Sequence, residues 1–419
     1  MSHAYDAIVI GGGPAGSSSA AILAEKGRRV LVLEREKFPR YHIGESLIPY
    51  CYFSLERLGM IPKLKASHFV KKYSVQFVSR AGNLSQPFYF SEHLKHEAAC
   101  TWQVWRSEFD QMLLDNAREK GAEVLEETKV VDFLQDEQGR VVGVKALAKS
   151  GEPLEFQAPI TIDATGRDSF AMLRNGWRVR DPQLNKIALW TYYEGALRDS
   201  GLDEGATTVA ALPDRGWFWY IPLPHNTVSV GVVAEKEYLF RDTRDLEDIF
   251  AREIGNNQWI EEHLAPGRRT EPLRITGEFS YRSQHCAADG LVLAGDAFGF
   301  LDPVFSSGLF LALRSGVLAA DAVDEALTVQ DVSGARFDAY GRQVRGEIEA
   351  MRRLVYAFYD NNFSFGKLLM VHPELQGDVT DCLIGHLTRD FERLFQAVGE
   401  LVEVPPNLPY GAPLTTAAS

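Results

Sequence analysis

Residues 6–16 of the chain read Asp6-Ala7-Ile8-Val9-Ile10-Gly11-Gly12-Gly13-Pro14-Ala15-Gly16. An apolar run that predicts a buried strand passes through a glycine turn into small residues that predict a helix to about Lys26. Residues 30–33 predict a second strand, and Glu34 follows it directly. Glycine lets a backbone approach a pyrophosphate, the start of a helix attracts phosphate charge, and an acid at this distance holds ribose hydroxyls. The stretch therefore predicts the first unit of a parallel α/β domain that binds a dinucleotide, with a tight turn that binds nothing as the alternative.

Strands of a different kind interrupt this parallel pattern. Residues 74–78 alternate, residues 81–83 predict a turn, and a second strand is predicted near residues 88–90. Residues 186–235 alternate again, with a turn at 224–226. These segments predict a separate, mostly antiparallel sheet. The parallel sheet is expected to resume at residues 160–163 and 290–293, and helices are predicted over about 46–60, 106–120, 307–327 and most of 335–400.

Composition narrows the classes of function. The chain has 419 residues and a formal net charge of −13, which argues against a surface that follows nucleic-acid phosphates. The sequence shows no secretory leader and no apolar stretch of membrane-spanning length, so no integral membrane segment is expected. Four scattered cysteines without C-x-x-C spacing fit reduced thiols. We therefore expect a cytoplasmic protein.

Two later segments specify the dinucleotide. Residues 163–166 (Asp-Ala-Thr-Gly) and 294–297 (Ala-Gly-Asp-Ala) resemble the second and third fingerprints of the FAD-dependent group that includes aromatic hydroxylases, geranylgeranyl reductases and halogenases. The resemblance implies FAD, with the late Asp296 at the ribityl chain and Arg106, before Phe109-Asp110, close to the cofactor. The residues expected to bind FAD are Gly11, Gly13, Ala15, Gly16, Glu34, Arg40, Ser46, Arg106, Val124, Asp163, Gly166, Asp296, Pro303 and Gly308.

The predicted fold is α/β, with a Rossmann-like FAD-binding domain of the aromatic hydroxylase type. This domain is discontinuous and takes in residues 1–69, 98–183 and 276–330. Residues 70–97 and 184–275 form the inserted, mostly antiparallel β-sheet substrate domain, and residues 331–419 form a helical C-terminal region.

Four further segments resemble flavin-dependent halogenases, particularly the branch that acts on pyrroles and phenols, often tethered to a carrier protein. They are residues 38–49, residues 69–73, the W-x-W-x-I-P pattern of residues 217–222, and residues 302–308. The resemblance implies that Trp217 and Trp219 leave too little room for an organic substrate beside the flavin, so a small oxidant must travel onward. Two tryptophans at i and i+2 of a strand also point to one face, and filling a core is the alternative.

Lysine is the residue type that would receive such an oxidant. The resemblance implies that hypohalous acid, made from halide and oxygen by reduced FAD, is relayed to Lys72, which holds it as an ammonium or reacts with it as an amine. Lys71 is expected to point to the opposite face of the strand. A solvent-facing position for Lys72 is the alternative, because paired lysines are common on surfaces.

The halide is predicted to bind where a loop ends and a helix begins. The amides of Ser307 and Gly308, at the positive end of the helix, form an anion pocket, although a serine there is also an ordinary helix cap. Phe305 departs from the tryptophan halogenases, which carry a glutamate at that point. An aromatic ring cannot act as a base there, so we expect a more activated ring, a phenol or a pyrrole, as substrate.

Other functions use similar fingerprints. A prenyl-lipid reductase of the geranylgeranyl type and an NAD(P)H-dependent aromatic hydroxylase are the alternatives. The sequence lacks a second G-x-G-x-x-G for a nicotinamide, which suggests that a separate flavin reductase supplies reduced FAD; chloride and bromide both stay open as co-substrate. No metal site is expected, because His93 and His96 have no third ligand at zinc-like spacing.

Overall fold

A computed structural model describes residues 5–212, 216–277, 280–406, 408 and 411–414 of the chain. The strands are β1 (Ala7–Ile10), β2 (Val30–Leu33), β3 (Val70–Lys72), β4 (Ser74–Val78), β5 (Phe88–Tyr89), β6 (Thr101–Gln103), β7 (Glu123–Leu125), β8 (Thr128–Gln135), β9 (Val141–Ala148), β10 (Pro153–Gln157), β11 (Ile160–Asp163), β12 (Arg178–Arg180), β13 (Lys186–Glu194), β14 (Thr207–Ala211), β15 (Trp217–Leu223), β16 (Thr227–Glu235), β17 (Arg268–Arg269), β18 (Arg274–Gly277), β19 (Tyr281–Ser283), β20 (Ala287–Ala288), β21 (Leu291–Leu293) and β22 (Gly299–Phe300). The helices are α1 (Pro14–Glu25), α2 (Cys51–Arg57), α3 (Ile61–Lys65), α4 (Phe90–His93), α5 (Arg106–Glu119), α6 (Phe170–Arg174), α7 (Lys236–Leu239), α8 (Leu246–Gly255), α9 (Gln258–Leu264), α10 (Ser307–Thr328), α11 (Asp338–Tyr359), α12 (Phe365–Val371), α13 (Gln376–Ile384) and α14 (Glu392–Gly399).

The first strand lies inside a six-stranded sheet. The strand order is β20-β21-β11-β1-β2-β7, and β1 pairs in parallel with both β2 and β11. All four residues of β1, β2 and β11 are buried, which is the pattern of a sheet covered on both faces. The parallel sheet predicted from the glycine turn is confirmed, and α1 leaves its edge directly after that turn.

A second sheet of eight strands stands beside the first. Its order is β17-β13-β16-β15-β14-β4-β5, with β18 also paired to β13. The hairpin of β15 and β16 turns at residues 224–226, as predicted, and pairs Trp217 with Val233. Strand β14 pairs in parallel with β4, with Thr207 opposite Val75, so the early hairpin and the later strands form one sheet.

One predicted helix is shorter than expected. Residues 46–60 were expected to be helical, but α2 covers only Cys51–Arg57. Ser46 is extended and bridges to Gln103, and the amide of Leu47 donates to the carbonyl oxygen of Trp102. Pro49 explains the late start, since it disfavours helical backbone at the residue before it.

The remaining elements surround the two sheets. Helix α10 packs along α1, where the hydroxyl of Ser19 donates to the carbonyl oxygen of Gly316 at 2.9 Å. Helices α11 to α14 give the helical C-terminal region that was predicted. Among the residues described, no helix combines the length and the apolar character needed to cross a bilayer. The predicted domain boundaries stay a prediction.

Candidate active site

A large cavity of about 390 Å³ opens at the ends of β1, β2 and β11, where the glycine turn lies. We call it the large cavity. Most residues predicted to bind FAD line it, and the later tryptophans do as well. The predicted residues in its wall are Gly11, Gly13, Ala15, Glu34, Arg40, Ser46, Arg106, Gly166, Trp217, Trp219, Asp296, Pro303 and Gly308.

The glycine turn has the shape of a phosphate cradle. Gly11 has a φ of +100°, and a Cβ there would lie 2.5 Å from the carbonyl oxygen of Ala164. The N-terminus of α1 has no side-chain cap, so its free amides face an incoming anion. Glu34 accepts the amide of Gly12 at 2.7 Å, which fixes its carboxylate at the cavity wall. Backbone, helix end and acid therefore fit the pyrophosphate and ribose of a dinucleotide.

A buried ion cluster supports one side of the large cavity. The guanidinium of Arg106 donates twice to Asp110 at 2.9 Å, and Arg40 donates to the same carboxylate at 3.0 Å. Arg106 also donates to the carbonyl oxygens of Ile43 and Gly44. Burial opposes the charge of Arg106, but the contact with Asp110 and the charges of Glu45 and Asp296 together outweigh burial and raise the pKa of the guanidinium. The cluster holds the 40–46 segment in place as a fixed positive wall.

Four of the residues predicted to bind FAD or halide do not line the large cavity. Gly16 packs at the start of α1 against the backbone of Gly11, and Val124 lies half-buried in β7, while residues 128–130 form the nearby wall. The carboxylate of Asp163 is turned inward and accepts the amides of Thr165 and Ala171. Ser307 is buried behind Ser306 and Gly308, which do face the cavity. The geometry gives no support to direct cofactor contact by Gly16, Val124 or Asp163.

The two tryptophans lie on one face of β15, and both line the large cavity. Their rings are 6.1 Å apart, and Trp219 also packs 6.4 Å from Trp190. The indole nitrogen of Trp217 donates to the hydroxyl of Tyr359 at 2.8 Å, and that hydroxyl donates to Asp302 at 2.8 Å. Burial raises the pKa of Asp302 to about 6. Helix α11 thus ties the tryptophan strand to the loop before α10.

Lys72 lies in a second, small cavity of about 20 Å³, which we call the amine pocket. Its side chain is 1% exposed, and Nζ donates to Ser46 Oγ at 2.8 Å and to the carbonyl oxygen of Leu47 at 3.1 Å. Burial lowers the pKa of the amine to about 7, against a small opposing effect of Cys51. Lys71 is exposed, so the two neighbours face opposite sides of β3. The residues that line the amine pocket are Ile48, Lys72, Val75, Phe77, Phe88, Phe90, Thr207, Val209, Val304, Phe305, Ser306 and Leu383.

The two cavities share one wall. Thr207 and Val209 of β14 line both, and so do Val304 and Ser306 of the loop before α10. The hydroxyls of Ser46 and Thr207 are 2.9 Å apart. A line of hydrogen bonds therefore runs from the amine of Lys72 through Ser46 to the shared wall.

Comparison with known proteins gives a consistent assignment. Residues 6–97 and 80–364 match the sequence profile of the family described as tryptophan halogenase. The chain is 30% identical over 404 residues to the 1H-pyrrole-2-carbonyl-peptidyl-carrier-protein chlorinase of Pseudomonas fluorescens, covering 91% of this chain and 89% of the relative. It is 32% identical over 391 residues to the corresponding brominase of Pseudoalteromonas luteoviolacea, covering 91% and 92%.

The chain belongs to the tryptophan halogenase family. Solved structures agree: the flavin-dependent brominase Bmp2 superposes with a TM-score of 0.85 at 29% identity, covering 94% of this chain and 98% of Bmp2. The myxobacterial chondrochloren halogenase CndH gives 0.79 at 33% identity, covering 95% of each chain. The predicted family, fold class and cofactor are confirmed, and the protein is an FAD-dependent halogenase with halide as co-substrate.

Some residues of the halogenase site carried no sequence signal. Tyr359 lies in an aromatic-rich segment that matches none of the motifs, yet it joins Trp217 to Asp302. Thr207 has no motif around it and reaches the shared wall only through the parallel pairing of β14 with β4.

His68, Glu108 and His225 bring ligand atoms within 4.8 Å of one another at the surface, whereas His93 stacks on Phe88.

Proposed function

We propose that the halogenase relays hypohalous acid from the large cavity to Lys72, which halogenates a phenol or a pyrrole in the amine pocket. One observation carries this proposal: the amine is buried in an apolar pocket that shares a wall with the cofactor cavity. Bound reduced FAD supplies two electrons and two protons, and with these oxygen, halide and one further proton give hypohalous acid and water. The residues of the chain then have to separate, hold and direct that oxidant.

Lys72 suits both ways of holding the oxidant. With its pKa lowered to about 7, ammonium and amine are both populated near neutral pH. The ammonium donates a hydrogen bond to the oxygen of hypohalous acid. The amine instead exchanges one N–H proton for halogen, forming a haloamine and releasing water. Either form places the electrophilic halogen beside Phe305 and Phe90, where an aromatic substrate would lie.

The tryptophans act as a rigid partition in this proposal. Trp217 is fixed by Tyr359, and Trp219 donates to Ser229 Oγ at 3.1 Å, so neither indole swings aside freely. They occupy one side of the large cavity and exclude an aromatic substrate from it. A molecule as small as hypohalous acid passes toward the shared wall at Thr207 and Val304.

Halide is proposed to bind at the start of α10. Ser306 has a φ of +55°, which turns the chain so that the amides of Ser307 and Gly308 open the 22-residue helix without a side-chain cap. The hydroxyl of Ser307 is buried and has no hydrogen-bond partner within the described residues. A buried donor without a partner is costly, and a halide would satisfy it.

The substrate is proposed to be an electron-rich ring, carried by a protein partner. Phe305 packs 5.7 Å from Phe358 and 6.1 Å from Phe365, so no carboxylate stands there to take the proton from the attacked ring. Phenols and pyrroles stabilise the cation themselves. The two relatives named above act on a pyrrole bound to a peptidyl carrier protein, which supports the same kind of substrate here.

We further propose that a separate flavin reductase supplies reduced FAD and that the enzyme works in the cytoplasm. All four cysteines are free thiols, and Cys51, Cys286 and Cys382 are buried. The absence of a second nucleotide fingerprint in the sequence supports an external reductase. We also propose the domain division given by residues 1–69, 98–183 and 276–330 for FAD, 70–97 and 184–275 for the substrate sheet, and 331–419 for the C-terminal region.

Lys72→Met tests the relay, with Lys71→Met as the matched control. The protein is supplied with FAD, a flavin reductase, oxygen, bromide or chloride, and pyrrole-2-carboxyl groups on a carrier protein or free phenols. We expect Lys72→Met to bind FAD and to release hypohalous acid to a soluble trap, while halogenated product falls by at least about 10²-fold. Lys71→Met should retain the normal rate. Normal product formation by Lys72→Met would refute the relay.

A further inference from the structure

A chain of buried hydroxyls ends on a carboxylate in the large cavity. Glu45 lines this cavity next to Ser46, and its carboxylate accepts a hydrogen bond from the hydroxyl of Tyr192 at 2.9 Å. The hydroxyls of Tyr192 and Tyr41 are 3.0 Å apart, and the indole of Trp190 donates to Tyr41 at 2.7 Å. Tyr41 is 43% exposed, whereas Glu45 is 3% exposed. The chain therefore joins a partly exposed tyrosine to a buried acid, and both residues line the large cavity.

The donors determine the direction of this chain. The hydroxyl of Tyr192 has one proton and donates it to Glu45, so the hydrogen bond between the two hydroxyls is donated by Tyr41, which in turn accepts from the indole of Trp190. Tyr192 then donates to Glu45, and every hydroxyl points toward the carboxylate. If Glu45 gives up a proton, the shift of one proton along each bond restores it and draws a new proton in at Tyr41.

The surroundings of Glu45 favour proton exchange. Burial raises the pKa of the carboxyl, and Arg106 and the hydrogen bond from Tyr192 lower it by less. Burial also raises the pKa of Tyr192 far above its usual range, so this tyrosine relays a proton without becoming a tyrosinate. The other charged group at the chain is Arg274, whose guanidinium lies 4.0 Å above the ring of Tyr41. Glu45 is therefore the acid of the chain, and the tyrosines are its neutral conductors.

The reaction requires a proton in this cavity. Reduced FAD, oxygen, halide and one proton give oxidised FAD, water and hypohalous acid, so one proton enters for each hypohalous acid formed. Halogenation of the ring then converts hypohalous acid and an aromatic C–H into a carbon–halogen bond and water, with no further proton consumed. The proton demand therefore falls in the large cavity and not in the amine pocket.

We propose that Glu45 donates this proton as a general acid and is reprotonated from solvent through Tyr192 and Tyr41. This inference rests on the halogenation of the family and not on the relay through Lys72. Lys72 reaches Ser46 but forms no hydrogen bond with Glu45 among the described contacts. Glu45 is a catalytic residue in this proposal, and Tyr192 is a positioning and proton-conducting residue.

Glu45→Gln and Tyr192→Phe test the proposal, with Tyr193→Phe as the matched control. The glutamine keeps an oxygen that accepts from Tyr192 but cannot donate an acidic proton. Tyr193 is the next residue of β13 and faces the opposite side, toward Arg269. Infrared spectra of the FAD-free and FAD-bound proteins, recorded across pH, give a readout that does not depend on turnover.

We expect a protonated carboxyl band in the wild type that titrates above the ordinary range of glutamate and disappears in Glu45→Gln. Tyr192→Phe should move this titration to higher pH, because the lost hydrogen bond favoured the charged form. Both variants should also slow hypohalous acid formation about 10²-fold, measured with a soluble trap. An unchanged band in Glu45→Gln, or equal behaviour of Tyr192→Phe and Tyr193→Phe, would overturn the proposal.

Failure of this proposal is separable from failure of the Lys72 relay. Lys72→Met is expected to form hypohalous acid at the normal rate and to lose only ring halogenation. Glu45→Gln is expected to lose hypohalous acid formation itself, with product falling in proportion. The trap assay therefore assigns each defect to one cavity.

Discussion

The large cavity and the amine pocket share a wall, yet they are built in different ways. The large cavity is made of backbone turns, helix ends and paired charges such as Arg106 with Asp110. The amine pocket surrounds one amine with aliphatic and aromatic side chains. In the first, charge is stabilised by fixed partners, whereas in the second, burial lowers the pKa of Lys72, the one cationic side chain among the described residues that line the pocket. The cavity that fits the anionic cofactor and the pocket that buries the amine of Lys72 therefore share a wall but stabilise opposite charge states.

Gly11→Ala breaks the large cavity and should have the largest effect. The left-handed φ and the 2.5 Å approach of a Cβ to Ala164 leave no unstrained position for alanine. We expect loss of FAD binding, measured as the flavin absorbance that copurifies with the protein. Gly27→Ala, at a similar φ of +84° but with no atom within 4 Å, is the control for strain alone and should keep its FAD. Equal loss of FAD in both variants would contradict the assignment of the glycine turn as the phosphate-binding site.

Lys72→Met sharpens the contrast through the pH dependence of stability. The unfolded amine takes up its proton at about pH 10.5, whereas the folded amine does so only below about pH 7. Between these values only the unfolded chain binds the proton, so the lysine destabilises the fold fully below about pH 7 and not above about pH 10.5. We expect the Tm of Lys72→Met to exceed that of the wild type by several degrees near pH 6, with a gap that closes toward pH 10. A difference in Tm that does not change with pH would mean that Lys72 keeps the ordinary pKa of a lysine in the folded protein.

Tyr359→Phe loosens the partition between the two regions. It removes the acceptor of the Trp217 indole and the donor to Asp302, both of them buried. Each lost partner costs about 1–3 kcal/mol, and the pKa of Asp302 should rise further because its hydrogen bond is gone. Thermal unfolding measures the first effect. Tyr356→Phe is the control, because Tyr356 also lies on α11 but donates its hydrogen bond to Asp181. We expect Tyr359→Phe to lower the yield of product per oxygen consumed and Tyr356→Phe to leave it unchanged.

Thr207→Val alters the shared wall with little change of shape. The hydroxyl of Thr207 joins Ser46 and also accepts from Gln103 at 2.8 Å, and valine ends both contacts. We expect the transfer from hypohalous acid to product to slow about tenfold, which corresponds to about 1.4 kcal/mol, with FAD binding unaffected. Thr208→Val is the control, since its hydroxyl bonds to Gln76 on the other face of β14. A normal rate of transfer in Thr207→Val would show that the transfer does not need the hydroxyl of Thr207.

The sequence was sufficient for the part of the large cavity that fits the pyrophosphate and ribose, because the residues of that part are contiguous. The glycine turn, the adjacent strands and the acid after the second strand lie within residues 6–34, and local rules of strand, turn and helix determine their geometry. The pattern also predicted opposite faces for Lys71 and Lys72, because the side-chain period of a strand is two.

Long-range pairing explains what the sequence could not supply. Thr207 becomes part of the wall only because β14 pairs in parallel with β4, about 130 residues away in the chain. The hydroxyl chain joins Tyr41 to Tyr192, and Tyr359 meets Trp217 from a helix at the far end of the sequence. The helix expected over residues 46–60 was wrong in its first part because the strand-like contact of Ser46 with Gln103 prevailed over local preference.

The size of the amine pocket has a consequence for the order of events. At about 20 Å³ it has room for about one water molecule, so a pyrrole or phenol ring cannot enter without side-chain rearrangement. Phe77 and Phe305 both touch Phe365 at the start of α12, whose Met370 is 83% exposed. An aromatic substrate must therefore displace these rings, and part of its binding energy is used for that displacement. If Lys72 carries halogen as proposed, the closed pocket shields the halogenated amine from bulky nucleophiles until an aromatic substrate has displaced these side chains.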